Sequence, residues 1–298
     1  MRPTARCLFQ ASRAALSHEN PLGLPKSGTI PRMQRGLPQK RAIKDVRKVI
    51  AVSSAKGGVG KSTVAANLSL AFARLGYRSG ILDVDVFGPS IPTLFNLNEE
   101  PRLSSNNQLL PLTAYGVQTM SMGYLVPPDS PVIWRGPILL KALQQLLHEV
   151  SWGGPAGLDV LVLDLPPGTG DTQLSVAQQI VLDGAVVVTT PHTLSLADAT
   201  RGLAMWEKVS VPVLGLVQNM SVFSCPCCGT KSHVFGTGER VRRLCEERGV
   251  EMLADVPLHP RIAEDAQEGR PTVAAEPEGE GARVFMDLAR RLGGMVGL

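Results

Sequence analysis

Between an apolar run at residues 49–53 and a helical pattern that starts near Val64 stands the sequence Ala55-Lys56-Gly57-Gly58-Val59-Gly60-Lys61-Ser62-Thr63. A phosphate chain needs several backbone amides facing one point, and glycines let the backbone curl round it without obstruction from Cβ atoms. A helix that starts at the loop adds its free N-terminal amides. Lys61 is then placed to neutralise the β and γ phosphates of ATP and the Ser62 hydroxyl to join the Mg²⁺ shell, with Gly57, Gly58, Val59, Gly60 and Thr63 completing the cradle. The strict phosphate-loop pattern has Gly at position 55, where this chain has Ala. The loop tolerates the exchange provided Ala55 keeps a negative φ.

A strand, a phosphate loop and a helix in that order also constrain the rest of the chain. Further β-rich runs at 80–83, 159–163, 185–189 and 213–217 alternate with helical spacing at Val64, Leu68, Phe72 and Leu75, at Leu139, Leu143, Leu147 and Val150, and over 197–209. Alternation of this kind builds a parallel sheet covered on both faces. The expected fold is α/β: a P-loop NTPase with a mostly parallel twisted sheet and helices on both sides, in one domain over residues 49–298. Residues 96–131, rich in Asn, Pro and Ser, read as an insertion of loops and short strands. No apolar run approaches the roughly 18 to 20 residues of a membrane-spanning helix, and five cysteines in 298 residues are too few for a disulfide scaffold.

Charge divides the chain before the fold begins. Residues 1–48 hold 11 of the 30 Lys and Arg but only Glu19 and Asp45 of the 26 acidic residues, which splits the formal +4 into +9 and −5. On a helical wheel Arg2, Arg6 and Arg13 fall within about 40° of one another, with Leu8, Phe9 and Leu16 in a separate arc. An arginine-bearing, acid-poor, amphipathic start is the pattern of a mitochondrial transit peptide, read here over residues 1–19 with an uncertain cleavage site; the competing reading is a basic tail that touches nucleic acid or membrane. Pro21, Pro25, Pro31 and Pro38 make residues 20–48 an extended linker or N-terminal arm. The acidic body disfavours nucleic acid as a partner.

Carboxylates follow the strands where the phosphate chemistry needs them. Asp83 and Asp85 end the run at 80–83, and Asp164 ends the run at 159–163, near the carboxyl ends of strands where open α/β sheets bind ligands. Asp164 is assigned to a water of the Mg²⁺ shell, Asp85 to orienting or deprotonating the attacking water, and Asp83 to supporting the metal. In Pro166-Pro167-Gly168-Thr169-Gly170-Asp171, Gly168 can approach the γ phosphate and Asp171 can report its presence. Lys56, a second lysine inside the loop, resembles that of the deviant P-loop ATPases, a group that includes septum-site and plasmid-partition ATPases and the nitrogenase iron protein. The resemblance implies a homodimer that sandwiches nucleotide, with Lys56 reaching the partner's phosphates as a catalytic group. Asn219 and Pro257 are assigned by the same resemblance to the adenine edge.

A second chemical centre lies at Cys225-Pro226-Cys227-Cys228-Gly229. Cys225 and Cys228 have the C-x-x-C spacing that lets two thiolates chelate one metal centre. Two ligands do not complete a four-coordinate site. Either another chain contributes an identical pair round a [4Fe-4S] cluster, or His233 and Cys245 complete a zinc site, or the pair is a redox dithiol. Cys227 is an extra thiol without an assigned use.

The phosphate loop, Asp83 to Pro92, Trp134-Arg135-Gly136-Pro137, Asp164 to Asp171, Asn219-Met220-Ser221 and the C-x-x-C followed by Val234-Phe235-Gly236 together resemble the Mrp/ApbC branch of P-loop iron-sulfur proteins, over roughly residues 36–298. With the basic leader and Gly36-Leu37-Pro38 the chain looks like a mitochondrial, nucleotide-binding-protein-like member of that branch. The resemblance implies a labile [4Fe-4S] cluster shared between two chains, delivered with weak ATP hydrolysis to apo iron-sulfur proteins, in particular subunits of respiratory complex I. It also implies the mitochondrial matrix, cluster donors among the assembly machinery as partners, and at most peripheral membrane contact. Trp134 and Arg135 belong to the pattern without an assigned role. A rival is a partition or positioning ATPase acting on membrane or DNA, supported by an apolar stripe at Val284, Phe285, Leu288 and Leu292 beside Arg290 and Arg291, a stripe expected instead to pack on the sheet. A zinc-containing P-loop NTPase is the other.

Overall fold

The computed structural model describes residues 40–86, 88–125, 136–225 and 227–298. The transit-peptide reading, most of the linker, Trp134, Arg135 and Pro226 lie outside them. The strands are Val46–Ser53 (β1), Ser79–Asp83 (β2), Leu112–Ala114 (β3), Val117–Ser121 (β4), Leu158–Asp164 (β5), Gly184–Thr189 (β6), Val213–Gln218 (β7), Phe223–Ser224 (β8), Lys231–Ser232 (β9) and Met252–Asp255 (β10). The helices are Lys61–Arg74 (α1), Ile91–Leu94 (α2), Gly136–His148 (α3), Asp171–Gln179 (α4), Thr193–Lys208 (α5), Glu239–Arg248 (α6), Pro260–Gln267 (α7), Thr272–Ala275 (α8) and Glu280–Val296 (α9).

Eight strands form one sheet in the order β10-β7-β6-β1-β5-β2-β4-β3, parallel throughout except for β3 against β4. The two-residue side-chain period of each strand sorts the core into two layers. Val49 and Ala51 of β1, with Leu161 and Leu163 of β5, face a layer that holds Leu146 of α3, Val176 of α4, Trp206 of α5 and Val241 of α6. Ile50 and Val52, with Val160 and Val162, face Leu68 and Phe72 of α1 and Phe285, Leu288 and Leu292 of α9. Burial on both faces is why these strands read as continuous apolar runs.

Differences from expectation have local causes. The first strand starts at Val46, Ile43 is buried, and the Arg41 amide donates to Gln179 O at 2.8 Å, so residues 40–48 belong to the folded body and not to a linker. Arg47 and Lys48 mask that start in the sequence; Lys48 pairs with Asp183 at 3.0 Å. Within the 96–131 insertion, β4 joins the main sheet beside β2, and β10 adds an unforeseen outer strand. Helix α5 begins four residues before position 197, because the His192 side chain caps it at Leu194 N (3.2 Å). The stripe at Val284, Phe285, Leu288 and Leu292 packs as expected: α9 lies on α1 and β10, and three of its four residues are fully buried. At about 2 kcal/mol for each large apolar side chain, that burial holds the helix against the body and removes the support for a membrane-surface helix. Among the described residues, no helix is long and apolar enough to cross a membrane.

Candidate nucleotide and metal site

Strand β1 delivers the chain to the phosphate loop at the carboxyl edge of the sheet. Gly58 and Gly60 adopt φ of 78° and 83°, a region that L side chains rarely enter. Ala55 is not among the positive-φ residues, so the exchange of Gly for Ala at this position leaves the loop intact. Helix α1 begins at Lys61 with no acidic residue in its first turn and no side-chain cap, which leaves its first amides for an anion. They open on a cavity of about 330 Å³ lined by Gly57, Gly58, Lys61, Ser62, Asp85 and Pro167, among others. A neighbouring cavity of about 320 Å³ shares Asp85, Gly88 and Pro167 with it.

The three carboxylates have different tasks. Asp164, fully buried at the end of β5, is paired with Lys61 Nζ, which also lies 3.1 Å from Ser62 Oγ. Burial pushes the Asp164 carboxyl up while Lys61 pulls it back, and hydrogen bonding from Ser62 acts in the same direction as Lys61. Its Oδ2 is buried without a hydrogen-bond partner. That orphaned oxygen, close to the cavity-lining Ser62, fits the outer shell of a Mg²⁺ ion, which keeps several of its waters. Asp85 is buried and lines both cavities.

Asp83 does not take the metal-supporting place expected of it. Its Oδ1 accepts from Asp85 N at 3.0 Å, and its Oδ2 accepts from Ser90 N (3.0 Å), Ile91 N (3.2 Å) and Ser121 Oγ (3.0 Å). These four bonds fix the loop that carries Asp85 and the start of α2, and leave Asp83 positioning its neighbour from beneath. Burial first, then the Asp164 charge, push its carboxyl up to about 7.

The loop after β5 is tied to the phosphate loop, with Gly168 N donating to Ser54 O at 2.9 Å. Asp171 is the first residue of α4. Lys56 is half-buried and makes no ion pair among the described residues. Asn219, expected at an adenine edge, donates from Nδ2 to Val59 O at 2.8 Å. Its Oδ1 and the second N–H of Nδ2 remain for a base. Pro257 is half-buried next to Val256, whose carbonyl accepts from Ser221 N at 3.1 Å. The sequence reading missed Ser54 as a cavity wall, and it named Gly88 and Pro167 only as members of longer motifs.

The cysteines stand on a separate knuckle. Strands β8 and β9 pair antiparallel, Cys225 N donates to Thr230 O at 3.0 Å, and Gly229 turns the chain at φ 69° while its amide donates to Cys225 O at 2.8 Å. Cys225 is half-buried, and Cys227 and Cys228 are exposed. Hydrogen bonding with Thr230, side chain first and then backbone, pulls the Cys228 thiol down towards the thiolate that ligates metal. Cys245 is no partner for this pair. It is packed in the core from α6, and burial pushes its thiol up. His233 is exposed, and among the described residues no three His, Cys, Asp or Glu gather to hold a metal ion. The zinc site expected as an alternative, completed by His233 and Cys245 within one chain, is not assembled.

Comparison with known proteins places this geometry. Residues 45–293 match the ParA-type family described as the NUBPL iron-transfer P-loop NTPase. The chain is 50% identical to the mouse iron-sulfur cluster transfer protein NUBPL over 259 residues, 86% of this chain and 80% of the mouse protein. It is 45% identical to the Arabidopsis thaliana iron-sulfur protein required for NADH dehydrogenase, mitochondrial, covering 83% of this chain and 78% of that one. Among solved structures, an ADP complex of a nucleotide-binding protein from Archaeoglobus fulgidus superposes with a TM-score of 0.69 at 36% identity, over 81% of this chain and 93% of that one. With its phosphate loop, parallel sheet and C-x-x-C knuckle, the chain belongs to the NUBPL iron-transfer family of P-loop NTPases.

Proposed function

We infer that this protein is an ATP-dependent carrier that holds a [4Fe-4S] cluster between two copies of the chain and delivers it to apo iron-sulfur proteins. The observation that carries the reading is the pair Cys225 and Cys228, presented on an outward knuckle with no third ligand from the described residues of its own chain. Four thiolates complete a [4Fe-4S] site, so a second pair must come from outside, and a partner copy supplies an identical one. A site made of two exposed halves opens with a small movement of the interface, as transfer of the cargo requires.

The nucleotide chemistry belongs to the phosphate loop at the carboxyl end of β1. The α1 amides, Gly57, Gly58 and Gly60 receive the phosphates, and Lys61 turns from Asp164 towards the β and γ oxygens. Ser62 and the water-linked Asp164 would hold Mg²⁺, which supplies charge neutralisation on the β and γ oxygens. Asp85, held by Asp83, orients the attacking water, and Lys56 meets the partner's phosphates across the sandwich. Hydrolysis is slow and resets the carrier. The mouse relative's name supports cluster transfer, and the Arabidopsis relative's name supports delivery towards NADH dehydrogenase, respiratory complex I, in mitochondria; residues 1–19 supply the import signal to the matrix.

Anaerobic reconstitution of the purified chain, with iron, sulfide and zinc analysis and sizing, tests the reading. The expected product is a dimer with about four irons and four sulfides per two chains. One zinc per chain in a monomer without sulfide would overturn it.

A further inference from the structure

The phosphate loop and the cysteine knuckle meet at one residue. Asn219 follows the last residue of β7; its amide donates to Thr189 O at 2.8 Å and its side chain donates to Val59 O at 2.8 Å. It is buried. A Cβ on Gly60 would fall on Asn219 Nδ2, and Met220 Cε stands 3.8 Å from the same point, so the end of the phosphate loop rests directly on the pair 219–220. Met220 itself has φ 55°, a left-handed conformation that a side chain of this kind holds only when its surroundings impose it.

From there to the first ligand the backbone has little slack. Ser221 N and Oγ both donate to Val256 O (3.1 and 3.2 Å), Val256 N donates to Gln218 O (2.8 Å), and Leu258 N donates to Val222 O (2.9 Å). Phe223 bridges Leu258 on one side and pairs with Ser232 in the knuckle on the other. Cys225 stands two residues further on. A displacement of Val59 is thus passed to the base of the knuckle through one side-chain bond and a chain of backbone bonds.

We propose that Asn219 is the positioning residue that couples the phosphate loop to the cysteine pair, through its bond to Val59 O and the left-handed Met220. Nucleotide phosphates pull on the amides of the loop, Val59 and Gly60 shift against Asn219 and Met220, and the knuckle reorients Cys225 and Cys228. The proposal rests on the carrier reading above for its purpose, but its geometry does not involve the cluster. It also assigns to Asn219 a task other than base recognition.

The test measures alkylation of Cys225 and Cys228 in the reduced, cluster-free full chain by peptide mass spectrometry, with and without Mg-ADP or Mg-ATP at concentrations that saturate each protein. In the wild type, saturating nucleotide is expected to change the rate at Cys225 or Cys228 by about threefold or more, as a shift of roughly 0.7 kcal/mol in an opening equilibrium would. Asn219→Asp, which keeps the shape and removes the donor, is expected to bring that ratio close to one while nucleotide still binds. Met220→Gly, which accepts the left-handed φ while loosening the link, is expected to reduce it and serves as the test should the first variant fail to fold. A ratio in the folded variants equal to that of the wild type, or no nucleotide effect in the wild type, overturns the proposal. Loss of selectivity for adenine over guanine nucleotides in Asn219→Asp, with the alkylation ratio unchanged, likewise overturns it in favour of base recognition. Failure of the carrier reading appears separately, in the iron and sulfide analysis.

Discussion

In the phosphate loop, Lys61 and Asp164 are both buried and paired, Asp83 accepts four hydrogen bonds, and the glycines adopt conformations that other residues resist. In the knuckle, two strands of two residues hold one half-buried and two exposed cysteines. The first region is held together by contacts within its own chain, so arriving phosphates act on groups that are already paired. The second offers two C-x-x-C thiols, with no third ligand gathered beside them among the described residues. Buried polar groups are costly when a partner is removed, whereas exposed thiols have solvent to fall back on. The same protein therefore has one site whose damage is felt as instability and another whose damage is felt only as lost binding.

Substitution in the knuckle gives the sharpest version of this contrast. Cys225→Ser or Cys228→Ser should abolish reconstituted cluster absorbance altogether while changing unfolding free energy by less than about 1 kcal/mol, the range of surface substitutions. Retention of a cluster in both variants would remove the assigned ligands. Lys61→Ala should act oppositely. It strands the buried Asp164 and should cost about 3 kcal/mol in urea unfolding together with nucleotide affinity, yet leave cluster assembly in vitro intact. Equal loss of cluster and of stability would erase the distinction between the regions.

A smaller effect follows from Asp83. Its carboxyl, ordinarily 3.8, is raised to about 7 in the fold by burial and then by Asp164. The folded state keeps this proton where the unfolded state has lost it, so the contribution is fully present below about pH 4 and declines as the pH rises to about 7. Against Asp83→Asn, which cannot titrate, the wild type should lose relative stability between pH 5 and pH 8 by chemical denaturation; parallel profiles would contradict the assignment. The smallest expected effect is that of Cys227→Ala. It should leave cluster content, nucleotide binding and stability unchanged, and a cluster loss equal to that of Cys225→Ser would make Cys227 a ligand.

The phosphate loop was legible because its chemistry is local: glycine freedom, a lysine and a hydroxyl need only neighbours in sequence. The central strands were legible because burial on both faces writes uninterrupted apolar runs. The start of β1 was hidden by Arg41, Arg47 and Lys48, whose partners lie across the chain at Gln179, Gly297 and Asp183. The separate tasks of Asp83, Asp85 and Asp164 were equally hidden, since all three follow apolar strands and look alike in sequence.

By itself the sequence determined that the chain carries a phosphate loop between a strand and a helix, that its sheet is mostly parallel, and that a C-x-x-C pair stands apart from it. Only the tertiary structure decided that Asp83 supports a loop, that Cys245 lies in the core instead of beside Cys225, and that Asn219 holds Val59. The reason is range: patterns of propensity and spacing record what a residue does to its neighbours in the chain, whereas burial and hydrogen bonding across 160 residues, as between Val59 and Asn219, exist only once the sheet brings distant strand ends together.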